Sequence, residues 1–356
     1  MKKNNLPLLL LLFVFLSGCV KQEVIDELNV ESIAGYDVGS KPDKILGTVS
    51  FPIYQADKSV ENIVLSDEAV LSRELLSKLD KQSSQPLVTG SLRVVLFGEK
   101  LVTQGILPLV DSLQRDSSIG SRMYLAIAKP EAGTLLKGKY GRGDNGTYVS
   151  NLISHNMNQR DVPKSNLHVF LRDYYQRGKT PFLPILTQVG DGQLEISEIG
   201  LLDADKLVDT IPLEDMFFFK VMVDQFSEGS QLVEIEEGEA TVRSINSRYK
   251  FTYDQKKSNE FKIDITLRGI IREYSGKLLT QKEIEKLEKN LNDMIHEKCT
   301  KLVNKFLELN IDPLGLGYYA KTSSRGFDWK EWEDNYQNLT ISVSVDGKII
   351  EAGTIE

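Results

Sequence analysis

FKIDITLRGII, residues 261–271, alternates Phe261, Ile263, Ile265 and Leu267 with Lys262, Asp264, Thr266 and Arg268. A strand turns successive side chains to opposite faces, so this stretch gives a sheet one dry face and one wet face, the pattern of an antiparallel sheet. The residues after it supply a cover. Thr280 and Glu283 form a capping box, and Ile284, Leu287, Leu291, Ile295, Cys299, Leu302 and Phe306 then recur at helical spacing along a rod of about 40 Å. The helix ends at Asn310-Ile311-Asp312-Pro313, because a proline disfavours helical backbone in the residue before it. Strand signals at 232–235, 240–245 and 248–253 precede the opening stretch. A short helix with Phe327, Trp329, Trp332 and Tyr336 leads to a last alternating strand at 339–345.

Toward the N-terminus, strand and helix signals alternate. Residues 30–38 and 45–54 read as strands, and Pro52 pushes the second to a sheet edge. Ser66, followed by Asp67 and Glu68, reads as the cap of a helix that carries Leu71, Leu75 and Leu79. Strands at 92–97 and 123–128 alternate with helices at 106–113 and 134–136, and further helices are expected at 148–157 and 167–176. KGKYGRGDNG, residues 137–146, reads as an exposed loop. An extended TPFLPIL segment, a Gly190-Asp191-Gly192 turn and a strand at 193–202 follow. The fold class expected is α+β, with about three domains built on small mixed or antiparallel sheets covered by helices and with a long C-terminal helix. Residues 1–18 are expected as a signal peptide and 19–194 as an N-terminal region of one or two subdomains with a loop at 137–146. An antiparallel α+β domain is expected at 195–356.

The start of the chain decides its compartment. Lys2 and Lys3, an apolar run from Leu6 to Leu16 interrupted by Pro7, and the small residues Ser17 and Gly18 have the layout of a secretory signal. Crossing a bilayer takes about 20 apolar residues, and this run is shorter. Leu16-Ser17-Gly18-Cys19 resembles the bacterial lipobox, in which the cysteine sulfur accepts a diacylglyceryl group and the chain is cut before it. Cys19 is therefore the expected lipidation site. Cys299 is the other cysteine, so a disulfide framework and a cysteine-built zinc site are excluded.

Charge points the same way. Removing Lys2 and Lys3 with the signal leaves 41 basic residues against 51 acidic ones, a surface that anionic headgroups repel. Attachment then falls to acyl chains, each buried methylene contributing roughly 0.8 kcal/mol. The acidity and the lack of a basic tract argue against nucleic acid.

Chemical motifs are fragmentary. Gly141, Gly143 and Gly146 space as G-x-G-x-x-G, but a helix and lysines precede them where a dinucleotide site needs a strand. Gly178-Lys179-Thr180 ends like a Walker A loop, yet Asp173 stands where its first glycine belongs. His296-Glu297 lacks the second histidine of a zinc pair, and Asp203, Asp205 and Asp209 lack the glycine and closing glutamate of a calcium loop. Catalytic, cofactor and metal residues are accordingly expected to be none. Cys299, on the apolar stripe of the long helix, reads as a buried small hydrophobe.

Several stretches together resemble one family, the Ger(x)C-type C-subunit lipoproteins of spore germinant receptors. They are the Gly18-Cys19 start with its acidic spacer leading to Gly35-Tyr36-Asp37, and Gly105 with Leu107-Pro108, Asp111 and Arg115-Asp116 before MYLAIAK. The third is Ile311-Asp312-Pro313-Leu314-Gly315-Leu316-Gly317 followed by Trp332, a closing strand and Gly353. Val20 stands where the family usually has tryptophan, and Tyr318 where it has an acidic residue. The resemblance implies a three-domain α+β lipoprotein on the outer face of the spore inner membrane, working beside integral-membrane A and B subunits in a receptor for small nutrients. It implies no enzyme. The wet face of 261–271 and the Trp329/Trp332 helix are candidate partner surfaces, although i, i+3 spacing suits both tryptophans to a core. A solute-binding lipoprotein serving a transporter is the alternative, which would require two doubly wound lobes around a cleft.

Overall fold

A computed structural model of the chain describes residues 27–226, 228–253 and 260–352. The expected signal peptide and Cys19 lie outside the described residues. The first strands are β1 (Asn29–Val30), β2 (Ile33–Val38), β3 (Ile45–Tyr54) and β4 (Val60–Ala69), followed by helix α1 (Ser72–Gln82). Next come β5 (Leu87–Val88), β6 (Val94–Gly98), α2 (Glu99–Gln104), α3 (Leu107–Arg115) and β7 (Tyr124–Lys129). Helices α4 (Ala132–Lys137), α5 (Asn145–Gln159) and α6 (Leu167–Tyr175) lead to β8 (Phe182–Gly190), β9 (Gln193–Asp203) and β10 (Lys206–Pro212). Eight of these strands form one sheet in the order β10-β9-β8-β7-β6-β2-β3-β4.

Its centre is parallel and its flanks antiparallel. That explains why VVLFG in β6 is buried at every residue: a parallel strand covered on both faces has no wet side. Alternate residues feed two cores. Val95 and Phe97 meet Leu75, Leu79, Val110 and Phe170 from α1, α3 and α6, whereas Val94 and Leu96 join Leu135, Leu136, Val149 and Ile153 from α4 and α5.

Two local expectations are corrected. The helix capped at Ser66 is instead β4, whose pairing with β3 continues to Ala69; the helix begins at Ser72, with Leu71 exposed and Leu75 and Leu79 buried. Ser66 shares its hydroxyl with Thr48 across the strands at 3.0 Å. Ladder bonding outweighs the local capping signal there. Pro52 does not make β3 an edge strand, because β4 pairs outside it; β2 reaches only Ser50, so the missing amide faces no partner strand.

The second layer begins with α7 (Met216–Val223), then β11 (Gly229–Ile235), β12 (Gly238–Tyr253) and β13 (Glu260–Tyr274). The long helix α8 (Gln281–Glu308), α9 (Leu316–Ser323), α10 (Trp329–Asn335) and β14 (Thr340–Ala352) complete it. The four strands lie in the order β11-β12-β13-β14. The first three are antiparallel, as expected, but β14 runs parallel to β13. The long helix carries the chain back along the sheet before the last strand enters, and such a crossover delivers a parallel strand. The strands expected at 240–245 and 248–253 are one, β12, with register shifts at Thr241/Val242 and at Ser244/Asn246.

Helix α8 covers the dry face through Leu287, Leu291, Ile295, Cys299, Leu302 and Phe306, all buried. Between the layers, MFFFKVMV in α7 is apolar on nearly every side and buried throughout except its last residue. Phe219 meets Phe182 of β8 at 5.0 Å and Phe306 of α8 at 5.7 Å, joining the two layers through one core. The 194/195 division falls inside β9, and the large sheet runs on to Pro212.

Candidate functional site

The family-like residues near the start build a clasp. Asp37, at the end of β2, accepts hydrogen bonds from the amides of Ala132 and Gly133 at 2.8 Å each, closing the N-terminus of α4. A carboxylate there satisfies free amides and faces the positive end of the helix. Burial nevertheless pushes the Asp37 carboxyl above its ordinary range, with the two amides opposing the shift. Gly98 leaves room for it, since a Cβ at that position would meet Asp37 Oδ1 at 2.0 Å.

The 137–146 loop is not an exposed one throughout. Tyr140, Asp144, Asn145 and Gly146 are buried. Asp144 accepts from the Ser32 hydroxyl at 2.5 Å and from the amides of Gly146 and Thr147, and Asn145 donates to the carbonyls of Leu136 and Gly138. Gly146, the last glycine of the triad, therefore lies in the first turn of α5, its amide occupied by the chain's own carboxylate.

A second clasp joins the two layers. Asp312 accepts from the amides of Gly315, Leu316 and Gly317 at 2.8 to 2.9 Å, folding IDPLGLG into a tight turn with Gly315 in the left-handed region. Its carboxyl is pushed up to about 6, because burial outweighs those three amides. Thr180 donates its amide to the Asp312 carbonyl, and Tyr318 donates its own to the Gly178 carbonyl. The Walker-like Gly178-Lys179-Thr180 is thus a docking strap for the Asp312 turn. Asp173 is buried beside Arg172 and Lys179, at 2.7 and 3.4 Å.

Four further candidates, Cys299, His296, Asp205 and Asp209, are engaged within the fold. Cys299 is fully buried, its thiol donates to the Phe218 carbonyl at 3.4 Å, and burial pushes its pKa upward. His296 uses Nδ1 on the Val343 carbonyl at 2.9 Å. Asp205 accepts from the Leu107 amide at 2.8 Å, and Asp209 pairs with Lys305 at 3.1 Å. Among the described residues no three His, Cys, Asp or Glu side chains converge to hold a metal ion.

Sequence reasoning missed Lys220, inside the apolar run of α7. It is buried and donates to the carbonyls of Met157, at 2.8 Å, and Arg160, beyond the last turn of α5. A lysine at a helix C-terminus suits the negative end of the dipole. Its placement among the seven apolar residues of MFFFKVMV was the available signal.

Of the two candidate partner surfaces, the tryptophan helix buries only Trp332. Trp332 is buried against Phe261 and Tyr336, while Trp329 is half-buried with the Arg177 guanidinium 4.9 Å from its ring. The wet face of β13 remains open, lined by Arg248, Thr266, Arg268, Asp346 and Lys348 around a trough of about 360 Å³. Cys19 lies outside the described residues, and none of the described helices is long and apolar enough to cross a membrane.

Clasps, strap and core define a protein whose matched motifs hold two α+β layers together. Residues 21–188 match the spore germination protein N-terminal domain, and residues 197–353 match the spore germination B3/GerAC-like C-terminal domain. The chain belongs to this family of spore germination proteins. It is 32% identical over 356 residues to the spore germination protein GerQC of Bacillus cereus, covering 98% of this chain and 99% of that one. The crystal structure of the GerBC protein has a similar fold, with a TM-score of 0.57 and 15% identity, covering 89% of this chain and 97% of that one.

Proposed function

We propose that this chain is the lipid-anchored C subunit of a spore nutrient germinant receptor. Cys19 carries the lipid and holds the protein to the outer face of the spore inner membrane. There it works by contact with integral-membrane A and B subunits and catalyses no reaction. The observation that carries this reading is the full-length similarity to a spore germination protein, with both halves of the chain matched in order. The lipobox-like Leu16-Ser17-Gly18-Cys19 and the acidic balance of the chain support the anchor, since headgroup attraction would not supply attachment. The occupied state of Asp37, Asp144, Asp312 and Cys299 supports a role without chemistry.

The test is Cys19→Ser in spores. The variant should leave the membrane fraction and slow nutrient-triggered germination, while the secreted body keeps its circular dichroism spectrum. A membrane fraction equal to wild type would refute the anchor.

A further inference from the structure

The open face of the C-terminal sheet carries a charge pattern opposite to that of the chain. Register places Asn246, Arg268 and Lys348 in one cross-strand row and Arg248, Thr266 and Asp346 in the next; Lys250, Asp264 and Ser344 form a third. Thr252, Lys262 and Ser342 form a fourth. These rows hold five cations against two carboxylates, in a chain of net charge −8. One carboxylate is already engaged: Asp264 pairs with Lys262 at 2.7 Å and accepts from Ser344.

Arg268 stands directly across from Lys348 with no acid in its row, an arrangement that destabilises a sheet. Lys348 reaches Glu288 only at 3.6 Å. Beside them Arg248 lies over the ring of Phe226, 5.0 Å from its centroid. Phe226 is 61% exposed, has a left-handed backbone with φ 59°, and donates its amide to the Ser247 carbonyl at 2.7 Å. An exposed aromatic held in that conformation beside stacked arginine is the kind of anchor that interfaces concentrate upon.

We propose that this face docks an acidic segment of a protein partner, whose carboxylates engage Arg248, Arg268 and Lys348 while Phe226 packs at the rim. Shape and charge favour a protein segment over a bilayer. Adjacent strands lie about 4.8 Å apart, so the trough admits projecting side chains, whereas a planar headgroup layer has none to insert. Asp346 within the patch repels a uniformly anionic surface but can accept a donor from a polypeptide. The inference rests on the receptor-subunit reading for the partner that carries the segment, and names the chemistry of the contact.

The experiment uses the native receptor in spore membranes. A carbodiimide, which joins amines to adjacent carboxylates, should link Lys250 or Lys348 to an Asp or Glu of a multi-pass partner subunit. Arg248→Glu with Arg268→Glu should lower recovery of that partner roughly tenfold. The neutral pair Arg248→Gln with Arg268→Gln should lower it less, and Lys282→Glu with Lys289→Glu on the far helix should leave it unchanged. Near-ultraviolet circular dichroism checks that each variant folds. If wild type retrieves no partner subunit, the receptor reading and this inference fall together. If the folded charge-reversal variant retrieves partners at the wild-type level, only this inference falls. It also falls if the two arginines govern binding to phosphatidylglycerol vesicles while partner recovery stays intact.

Discussion

Single residues in this chain show how burial and bonding divide a carboxyl group's behaviour. Asp312 is enclosed but answers three amides, so Asp312→Ala should cost about 3 kcal/mol or more in denaturant unfolding, since the orphaned donors stay buried. Glu31 is the opposite case. It is 1% exposed, its Oε1 has no partner among the described residues, and burial, with a contribution from the Asp116 charge, pushes it up to about 8. The folded state therefore binds that proton more tightly than the unfolded chain, whose glutamate titrates near 4.5. Stability from the neutral carboxyl is present below 4.5 and lost as pH rises through about 8. Glu31→Gln should remove this dependence: chemical unfolding of wild type and variant should agree best below 4.5 and diverge as pH rises from there to about 8, with the variant the more stable. Parallel pH profiles would refute the assignment. Asp312 was legible as part of the IDPLGLG motif, since its amide partners lie three to five residues on, whereas the enclosure of Glu31 comes from folding and leaves no local mark.

At the scale of elements, α8 both covers a core and closes a sheet edge. An edge strand presents unpaired backbone groups that invite other chains, and natural proteins mask them. Here Asn292 donates to the Gly347 carbonyl and accepts its amide at 2.7 Å, and Glu288 accepts the Ile349 amide at 2.8 Å. His296 adds its bond to Val343. Asn292→Ala should therefore cost about 1 to 3 kcal/mol and raise hydrogen exchange at Gly347 more than at residues of β12. Equal exchange in variant and wild type would show that the edge is protected otherwise. The helix itself was readable from Thr280, Glu283 and the apolar stripe, as was β13 from its alternation, because in both the local pattern and the tertiary demand agree. They disagree at Ser66-Asp67-Glu68, where a capping sequence lies within a strand fixed by pairing to β3. They are silent on β14, whose parallel entry depends on where a 28-residue helix delivers the chain.

For the whole molecule the question is whether the two matched halves are separable. Packing argues that they are not. Phe219 sits between Phe182 and Phe306, Lys298 pairs with Asp215 at 2.7 Å, and Lys305 donates to the Thr210 carbonyl at 2.7 Å. The Asp312 turn is tied to Gly178 and Thr180 by backbone bonds. A piece beginning at residue 197 would also tear most of β9 from β8, its antiparallel partner. Each break leaves buried amides or aromatic surface without a counterpart, and such losses couple neighbouring regions into one transition. A piece from residue 20 onward should therefore unfold in calorimetry as a single peak, and the 197–352 piece alone should bind an apolar dye and lose its near-ultraviolet spectrum. Two resolved calorimetric peaks, or a 197–352 piece with native-like spectra, would mean that the shared aromatic core contributes little and that the halves move independently.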